Sequence, residues 1–257
     1  MTENVAQPDW ARGFSSLTVD ERADRLVVTL ARPERRNAID GWMVDELQAV
    51  CVELERAPRL LLLTGGADGV FAGGADIAQL RERGRFEALA AINQGLFARI
   101  LKLPLPTLAA IDGPALGGGA ELAYACDLRI CTDRAYFGQP EVRLGILAGA
   151  GATYRLPRLV GEGLAKELLF TGRRLSAEEA LAVRLVSKVT PPAELLDAAH
   201  GLLDEVAKGS PFALRLTKAA VDAPEAAHPE VDLLSQALLF EDEEKQARMT
   251  AFLDRRR

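Results

Sequence analysis

Two glutamates follow a run of three glycines near the middle of the chain. Gly117–Gly119 lie just before Glu121, and Glu141 ends the segment Phe137-Gly138-Gln139-Pro140-Glu141. A glycine in a helix interior costs about 1 kcal/mol relative to alanine, so a triplet where a strand leads into a helix indicates a need for unhindered backbone. Free N–H groups at a helix start bind anions. With carboxylates nearby, such donors suit acid/base chemistry on a carbonyl compound whose oxygen becomes negative.

A second glycine-rich segment follows the apolar run Leu60–Thr64 and leads to Asp76-Ile77, where a short helix is expected to begin. Its glycines are Gly65, Gly66, Gly69, Gly73 and Gly74. The segment lacks the Gly-Lys-Ser/Thr ending of a P-loop, and no Gly-x-Gly-x-x-Gly follows a strand, so nucleotide hydrolysis and dinucleotide binding are disfavoured. We interpret Asp76 as a helix cap rather than a catalytic acid, because its carboxylate can accept from the following N–H groups.

Strands alternate with helices in the part of the chain that holds these segments. Apolar and β-branched runs predict strands at Arg25–Leu30, Leu60–Thr64, Thr107–Ile111 and Leu128–Thr132. Helices are predicted after the cap Asp40, over Phe86–Ile100, with Leu89, Ile92, Leu96 and Ile100 on one side, and over Gly117–Cys126. This alternation favours a layered α/β core. A recurring strand–strand–helix unit is a hypothesis that the pattern alone does not demonstrate.

The last part of the chain reads as helical. The predicted segments are Gly161–Phe170, Ser176–Val183, Ala193–Val206, Pro211–Val221 and Val231–Phe252. Ser176-Ala177-Glu178-Glu179 is a capping-box sequence, and Pro211 suits a first helical position. We therefore expect an α/β core over residues 1–190, holding the binding and catalytic site, and a helical region over 191–257.

Composition excludes several classes of function. The chain has 257 residues and a net charge of −6, so it lacks the basic surface that nucleic acids or anionic membranes attract. Three scattered cysteines, Cys51, Cys126 and Cys131, and two histidines, His200 and His228, make neither a zinc site nor a disulfide framework. No apolar run is long enough to cross a bilayer, and the first dozen residues lack a secretory signal. We expect a cytoplasmic protein with reduced, buried cysteines and no metal.

Several short motifs together resemble the crotonase, or enoyl-CoA hydratase/isomerase, superfamily. They occur in the family's order and cover nearly the whole chain. The matching pieces are Arg32-Pro33 with Asn37-Ala38, Phe71–Ile77, Gly113–Leu122, Phe137–Glu141 with Leu144-Gly145, and Phe170-Thr171-Gly172 ahead of Ala180. Each piece alone would be a weak signal.

The resemblance implies a fold and a substrate class. The fold is a crotonase-type spiral of strand–strand–helix repeats, with an α-helical C-terminal region that forms a homotrimer or a hexamer of two trimers. The substrate is an acyl-CoA, and no cofactor is needed beyond the coenzyme A that the substrate carries. Its thioester carbonyl is expected to accept from the backbone N–H groups of Ala75 and Gly118, an oxyanion hole.

The resemblance also assigns roles to single residues. Glu121 and Glu141 match the two glutamates of the family's hydratases, which hold one water between them, and Gly149 matches a position whose N–H orients that water. Having both glutamates favours hydration of a 2-trans-enoyl-CoA to a 3-hydroxyacyl-CoA. Substrate- and CoA-binding positions are expected at Arg35, Ala38, Ala72, Gly74, Asp76, Ile77 and Gly117.

Some positions depart from the family pattern. Ala148 stands where hydratases usually have proline and Ala152 where they often have glycine, so the turn that holds the water is expected to be looser. Ala78 stands where many members have a lysine near the adenine of CoA. Recognition of the CoA phosphates would then depend on basic residues elsewhere, for which the candidates are Arg32, Arg35, Arg36 and the terminal Arg255–Arg257.

Other functions remain open on the sequence alone. An isomerase, thioester hydrolase or decarboxylase acting on another acyl-CoA would share the oxyanion hole and differ only in its acid/base groups. A non-catalytic acyl-CoA-binding or RNA-binding member is a further alternative, which the acidic balance and the two glutamates disfavour. Glu121 could also be a helix-dipole residue and Glu141 a solvated loop carboxylate.

Overall fold

The computed structural model describes residues 7–66 and 69–255, which form a layered α/β core and a helical C-terminal part. Arg256 and Arg257, two of the candidates for binding the CoA phosphates, lie outside the described residues. The strands are β1 (Leu17–Glu21), β2 (Arg25–Leu30), β3 (Leu60–Thr64), β4 (Thr107–Ile111), β5 (Pro114–Leu116), β6 (Leu128–Thr132), β7 (Tyr136–Gly138), β8 (Arg174–Ser176) and β9 (Val189–Thr190). The four strands that the sequence predicts are confirmed with the same bounds.

Helices flank the strands and make up the C-terminal part. In the core they are α1 (Gly41–Arg56), α2 (Ile77–Glu82), α3 (Arg85–Leu89), α4 (Ile92–Leu101), α5 (Gly118–Ala125), α6 (Ala152–Val160), α7 (Glu162–Thr171) and α8 (Ala177–Ala182). After β9 come α9 (Leu195–Ala207), α10 (Pro211–Asp222), α11 (Glu230–Phe240) and α12 (Glu243–Asp254). The predicted caps are confirmed, because Asp40 accepts from Met43, Asp76 from Gln79 and Ser176 from Glu179.

The larger sheet has the strand order β1-β2-β3-β4-β6-β9, and the strands from β2 to β9 run parallel. Every residue of β3 and β4 is buried, as expected for continuous apolar strands covered on both faces. Alternate residues of β3 pack into two separate hydrophobic cores. Leu61 and Leu63 face the main core, while Leu60 and Leu62 pack with α9.

The smaller sheet, of order β5-β7-β8, turns the chain from the larger sheet toward the helices. After β4 the chain enters β5 and then α5, and after β6 it enters β7, a 3₁₀ turn and then α6. These two passages are the strand–strand–helix unit that the sequence left as a hypothesis. Each unit lays its helix beside the preceding one, since α5 contacts both β5 and α6.

Two predicted helices are interrupted. The helix predicted over Phe86–Ile100 is split into α3 and α4 at Ala91, whose φ of 53° is left-handed. Leu89, predicted on the buried side, is 80% exposed, because only α4 turns its apolar residues into the core. The helix predicted over Val231–Phe252 is broken at Glu241 and Asp242. The strands β1, β5, β7, β8 and β9 and the helix α6 were not predicted.

The C-terminal helices differ in how they pack. α9 places Leu195, Ala199 and Leu203 against the larger sheet. By contrast, α10, α11 and α12 contribute no buried residue among those described. The division of the chain at residue 190 stays a prediction. No helix within the described ranges has both the length and the apolar character required to span a membrane.

Asn37 joins the loop after β2 to the loop after β3. It is fully buried with a left-handed φ of 51°. Its Nδ2 lies 3.2, 2.9 and 3.1 Å from the carbonyl oxygens of Gly65, Val70 and Phe71, and its Oδ1 accepts from the Arg32 N–H at 2.8 Å. This one side chain therefore holds three carbonyl oxygens of the second glycine-rich segment, in addition to backbone hydrogen bonds such as that from the Gly73 N–H to Arg36.

We predict that Asn37→Ala lowers the free energy of unfolding by about 3 kcal/mol, because buried carbonyls lose their donor and alanine tolerates left-handed backbone poorly. Urea denaturation measures the change. Arg35→Ala is the control, since Arg35 lies in the same loop with an exposed side chain. An equal, small effect of both substitutions would show that Asn37 does not hold the two loops together.

Candidate active site

A cavity of about 450 Å³ lies where the first turn of α5 meets the loops before α2, after α3 and after β7. Both glutamates singled out in the sequence line it, as do both predicted N–H donors. The predicted site residues on its wall are Gly74, Ala75, Ile77, Gly117, Gly118, Glu121, Glu141 and Gly149. Residues far apart in sequence are thus brought to one place.

The glycine triplet permits three different close approaches. A Cβ at Gly119 would lie 2.2 Å from the carbonyl oxygen of Ala72, and one at Gly118 would lie 3.3 Å from the backbone nitrogen of Ala75. Gly117 has a left-handed φ of 49°, and a Cβ there would lie 2.7 Å from Oε1 of Glu141. The helix start can therefore sit directly on the 72–75 segment and beside Glu141 only because side chains are absent.

Two backbone N–H groups are available to a ligand in the cavity. Within the part of the chain that the structure describes, the N–H groups of Ala75 and Gly118 donate to no protein acceptor. Their neighbours are anchored, because the Asp76 N–H donates to Ile39 at 3.1 Å and the Gly117 N–H donates to Gly138 at 2.8 Å. Fixed, unpaired donors of this kind stabilise an oxyanion without reorganising.

Glu121 lies in the first turn of α5 and is only 3% exposed. One carboxylate oxygen accepts from the backbone N–H of Ala152 at 3.0 Å. Burial raises the pKa of the carboxyl above its usual value, while the backbone N–H groups of Ala150 to Ala152 and the charge of Arg155 act in the opposite direction. The ionised form thus has specific partners inside a site that otherwise disfavours charge.

Arg155 supports the loop that contacts Glu121. Its guanidinium is buried, and Nη1 donates to the carbonyl oxygen of Ala150 at 3.0 Å. A Cβ at Gly151, whose φ is 131°, would lie 2.2 Å from Nη1. The arginine therefore binds the backbone of the same 150–152 loop that donates to Glu121. Nothing in the local sequence pattern signals this role.

Glu141 follows Pro140 at the start of a 3₁₀ turn and is 8% exposed. Burial raises the pKa of its carboxyl to about 7, and the charge of Glu121 adds to the shift. With its amide nitrogen turned toward the carboxylate, Gln139 donates to the two oxygens of Glu141 at 3.2 and 3.0 Å. A carboxyl that titrates near neutral pH can both donate and accept a proton.

Four predicted binding residues lie outside the cavity wall. Ala72 is fully buried beneath Gly119, where its carbonyl oxygen accepts from Leu116. Asp76 caps α2, Ala38 is half-buried beside Asn37, and Arg35 is exposed. Their roles in binding stay predictions. Arg32, a candidate for the CoA phosphates, forms an ion pair with the buried Asp40.

The departures from the family pattern also have a place in the structure. Ala148 and Ala152 are both buried, and Ala152 reaches Glu121 through its backbone N–H rather than its side chain. The structure leaves the expected looser hold on a water untested. Cys126 and Cys131 are buried, as predicted, and burial raises the pKa of each thiol to about 12. Neither histidine lines the cavity.

The sequence interpretation missed further residues of the site. Gln139 lies two residues before Glu141 within a motif already recognised, so its position was a usable signal. Arg83 and Asn93 line the cavity but belong to no motif. Leu144, Ile146 and Leu147 also line it and follow the second glutamate closely. They make the wall beyond Glu141 largely apolar.

The arrangement can move protons beside a carbonyl. A carbonyl oxygen within reach of the Ala75 and Gly118 donors would be stabilised as it becomes negative. Glu141 can exchange a proton near neutral pH, and the better-supported Glu121 can remain ionised. Two carboxyl groups with different environments facing one cavity are suited to separate roles as acid and base.

Comparison with known proteins agrees with the chemistry that the site geometry indicates. The model of the family described as enoyl-CoA hydratase/isomerase matches residues 21–257. The chain is 36% identical over 252 residues to a short-chain-enoyl-CoA hydratase of Clostridium acetobutylicum, covering 95% of this chain and 97% of the relative. It is 38% identical over 254 residues to a crotonyl-CoA hydratase of Syntrophomonas wolfei, with coverage of 95% and 97%.

Solved structures show the same likeness. The crystal structure of an enoyl-CoA hydratase from Bacillus anthracis superposes with a TM-score of 0.88 at 31% identity, covering 94% of this chain and 97% of that one. A second crystal structure, of an enoyl-CoA hydratase from Thermoplasma volcanium, gives a TM-score of 0.84 at 32% identity, with coverage of 92% and 96%.

The raised pKa of Glu141 predicts a pH-dependent stability. Between the ordinary carboxyl pKa and about 7, the folded state holds a proton that the unfolded state releases, so stability is lost as pH rises through this window. Glu141→Gln carries no such charge. We expect this variant to gain up to about 3 kcal/mol relative to the unaltered protein between pH 5 and pH 8.

Urea unfolding of both proteins at the two pH values measures this difference. Glu178→Gln is the matched control, because it makes the same substitution at an exposed position on α8, outside the cavity. A constant difference between Glu141→Gln and the unaltered protein across the range would mean that Glu141 ionises normally in the folded state.

Proposed function

The chain belongs to the enoyl-CoA hydratase/isomerase family and has the crotonase fold, and from this premise we propose that it hydrates a 2-trans-enoyl-CoA to a 3-hydroxyacyl-CoA. One observation carries the proposal: Glu121, Glu141 and the two unpaired N–H donors all face a single cavity. Similarity over nearly the full length to proteins named as short-chain-enoyl-CoA and crotonyl-CoA hydratases supports the same activity. The substrate is accordingly an acyl-CoA.

The thioester carbonyl would be held by the N–H groups of Ala75 and Gly118. Addition of water to a conjugated thioester places negative charge on this oxygen as an enolate forms. Donors that are already oriented stabilise the charge as it develops, and losing one donor in comparable sites costs about 2.7–4 kcal/mol. Since Gly118 has no side chain, the thioester can approach both donors closely.

The two glutamates would divide the proton transfers. A water lies between them, positioned further by the N–H of Gly149, and Glu121 accepts its proton as the hydroxyl bonds to C3. Glu141, protonated near neutral pH, gives its proton to C2. The proton taken from water then returns to Glu141, so the net change is one water added across the double bond. Neither transfer calls for a further cofactor.

An isomerase of the same family is the second candidate in chemical terms. Moving a double bond needs one group that takes a proton and returns it elsewhere, and Glu141 alone could do this. A thioester hydrolase or decarboxylase would use the same oxyanion hole. The buried, hydrogen-bonded Glu121 favours hydration, because a second carboxylate with its own backbone donor has no task in a one-base isomerisation.

We predict that the protein removes the conjugated enoyl-thioester absorbance of crotonyl-CoA, and that Glu121→Gln and Glu141→Gln each lower kcat by a hundredfold or more. Both changes remove a proton-transfer group while keeping the side chain's shape. Glu178→Gln should leave kcat unchanged. If only Glu141→Gln matters, a one-base isomerisation replaces hydration; if folded protein consumes no enoyl-CoA of any chain length, the hydratase proposal is wrong.

We further propose that the protein assembles as a homotrimer or as a hexamer of two trimers. The support is the exposed apolar surface of the C-terminal helices in the single chain. On α11 alone, Leu233 is 65%, Leu234 69% and Leu238 55% exposed, and apolar patches of this kind usually meet a partner. The lack of buried residues on these helices is consistent with an interface that a single chain cannot complete.

Light scattering of the purified protein should give three or six times the chain mass. Leu234→Asp should shift the assembly to smaller species, because a charge placed in an apolar interface is costly. Val52→Asp on α1, also an exposed apolar position, is the control and should keep the mass. A monomer that is fully active would contradict the proposed assembly.

We also propose a cytoplasmic location without nucleic-acid or membrane partners. The net charge of −6 supports the absence of nucleic-acid and membrane partners. Three unpaired, buried cysteines support the cytoplasmic location. Retention on heparin with release by salt would contradict the absence of a nucleic-acid partner.

A further inference from the structure

Among the described residues that line the cavity, two charged side chains, Arg83 and Glu87, have no part in the hydration of a simple alkyl chain. Arg83 lines the wall formed between α2 and α4, at a distance in sequence from both glutamates. Leu80, Ile92, Leu144 and Leu147 also line the cavity, so much of its wall is apolar. An arginine among apolar side chains, in a cavity proposed to receive an acyl group, requires a chemical reason.

Arg83 is held in place by a buried amide. Its Nη1 donates to Oδ1 of Asn93 at 3.1 Å, and Asn93 is only 8% exposed on α4. The backbone is also anchored, because the Arg83 N–H donates to the carbonyl oxygen of Leu80 at 3.2 Å. The guanidinium is therefore a positioned donor rather than a freely moving surface charge.

No carboxylate of the described residues forms an ion pair with Arg83. Glu87, which also lines the cavity, caps α3, where its Oε2 accepts from the backbone N–H of Gly84 at 2.8 Å. Hydrogen bonds from the backbone N–H groups of Glu87 itself and of Gly84 and, to a smaller extent, the charge of Arg83 lower the pKa of the Glu87 carboxyl, so Arg83 has an acidic neighbour but no ion pair with it. The side chain of Arg83 is half-buried, so it has lost part of its water. A guanidinium in this situation has several N–H donors left for an anion.

We propose that the acyl group of the substrate ends in a carboxylate, which Arg83 binds while Asn93 orients the guanidinium. The substrate would be a 2-enedioyl-CoA, with the thioester carbonyl at Ala75 and Gly118 and the distal carboxylate at Arg83. Arginine and carboxylate form charge-assisted, often paired hydrogen bonds, which are stronger in a partly dehydrated cavity. A terminal methyl group would instead leave the arginine with Asn93 but without a carboxylate to pair with its remaining N–H donors. This inference rests on the proposed hydratase function.

Glu87 sets a limit on the preference and provides a second test. Its charge on the same wall opposes an incoming carboxylate, although its hydrogen bond to Gly84 directs it toward the backbone. Glu87→Gln removes the repulsion and keeps an acceptor for the Gly84 N–H. Selectivity for a dicarboxylic acyl group should therefore increase in this variant.

The test compares two substrates of equal length, hex-2-enedioyl-CoA and hex-2-enoyl-CoA. The unaltered protein should have a kcat/KM at least tenfold higher for the dicarboxylic substrate. Arg83→Met should abolish or reverse this preference, mainly through KM, while Arg83→Lys should retain part of it and Glu87→Gln should raise it. Arg81→Met is the matched control, because Arg81 is exposed on α2 and paired with Glu82; it should leave the ratio unchanged.

A binding measurement separates this inference from the proposed function. Calorimetric titration with the unreactive hexanedioyl-CoA and hexanoyl-CoA should show tighter binding of the first, lost in Arg83→Met. If the unaltered protein hydrates or binds the alkyl chain as well as the dicarboxylic one, and Arg83→Met changes neither, the inference is overturned while the hydratase function stands. If neither enoyl-CoA is hydrated, the hydratase function fails, and the titration alone decides whether Arg83 recognises a carboxylate.

Discussion

The whole site depends on the contact between the start of α5 and the backbone of residues 72–75. A Cβ at Gly119 would lie 2.2 Å from the carbonyl oxygen of Ala72, so any side chain there would push the helix away from this segment. With the helix in place, the N–H groups of Ala75 and Gly118 face one cavity, and Glu121, in the first turn, does so as well. One steric condition thus determines the positions of both the donors and a carboxylate. The helix accepts unfavourable glycines for that reason.

Burial then distinguishes the two carboxyl groups that share the cavity. Both lose water, which disfavours the charged form of each. Glu121 recovers part of that loss from the backbone donors of the 150–152 loop, which Arg155 supports through the carbonyl oxygen of Ala150. Burial and the charge of Glu121 raise the pKa of Glu141 to about 7. The two environments differ in which loop reaches each residue, and this difference suits the proposed roles, in which Glu121 holds charge and Glu141 exchanges a proton.

Sequence reasoning succeeded where a signal is local. The continuous apolar runs Leu60–Thr64 and Thr107–Ile111 are bounded by glycine or proline, and their strands have the predicted bounds. The glycine triplet likewise predicted where the candidate site lies. The break at Ala91, whose φ is left-handed, has no such local signal, because alanine is a good helix former. The residues that support the site were also not predictable from the local sequence. Arg155 supports the loop that contacts Glu121, which is far from it in sequence. Arg83 contacts Asn93 only because the chain turns between α2 and α4. Contacts of this kind depend on tertiary structure, which periodicity does not encode.

The chemical and the selective parts of the cavity come from different kinds of structure. Gly118, a proposed oxyanion donor, and Glu121, the proposed base, lie on α5, every residue of which is buried in the core. The segment that carries Arg83 is built differently, since neither α2 nor α3 contributes a buried residue. Substitutions in the segment between them can therefore alter which acyl group fits without disturbing the contact that creates the oxyanion hole. The proposed chemical groups thus lie on a buried helix and the proposed selective group lies between short exposed helices, so that the reaction and the acyl preference can vary separately.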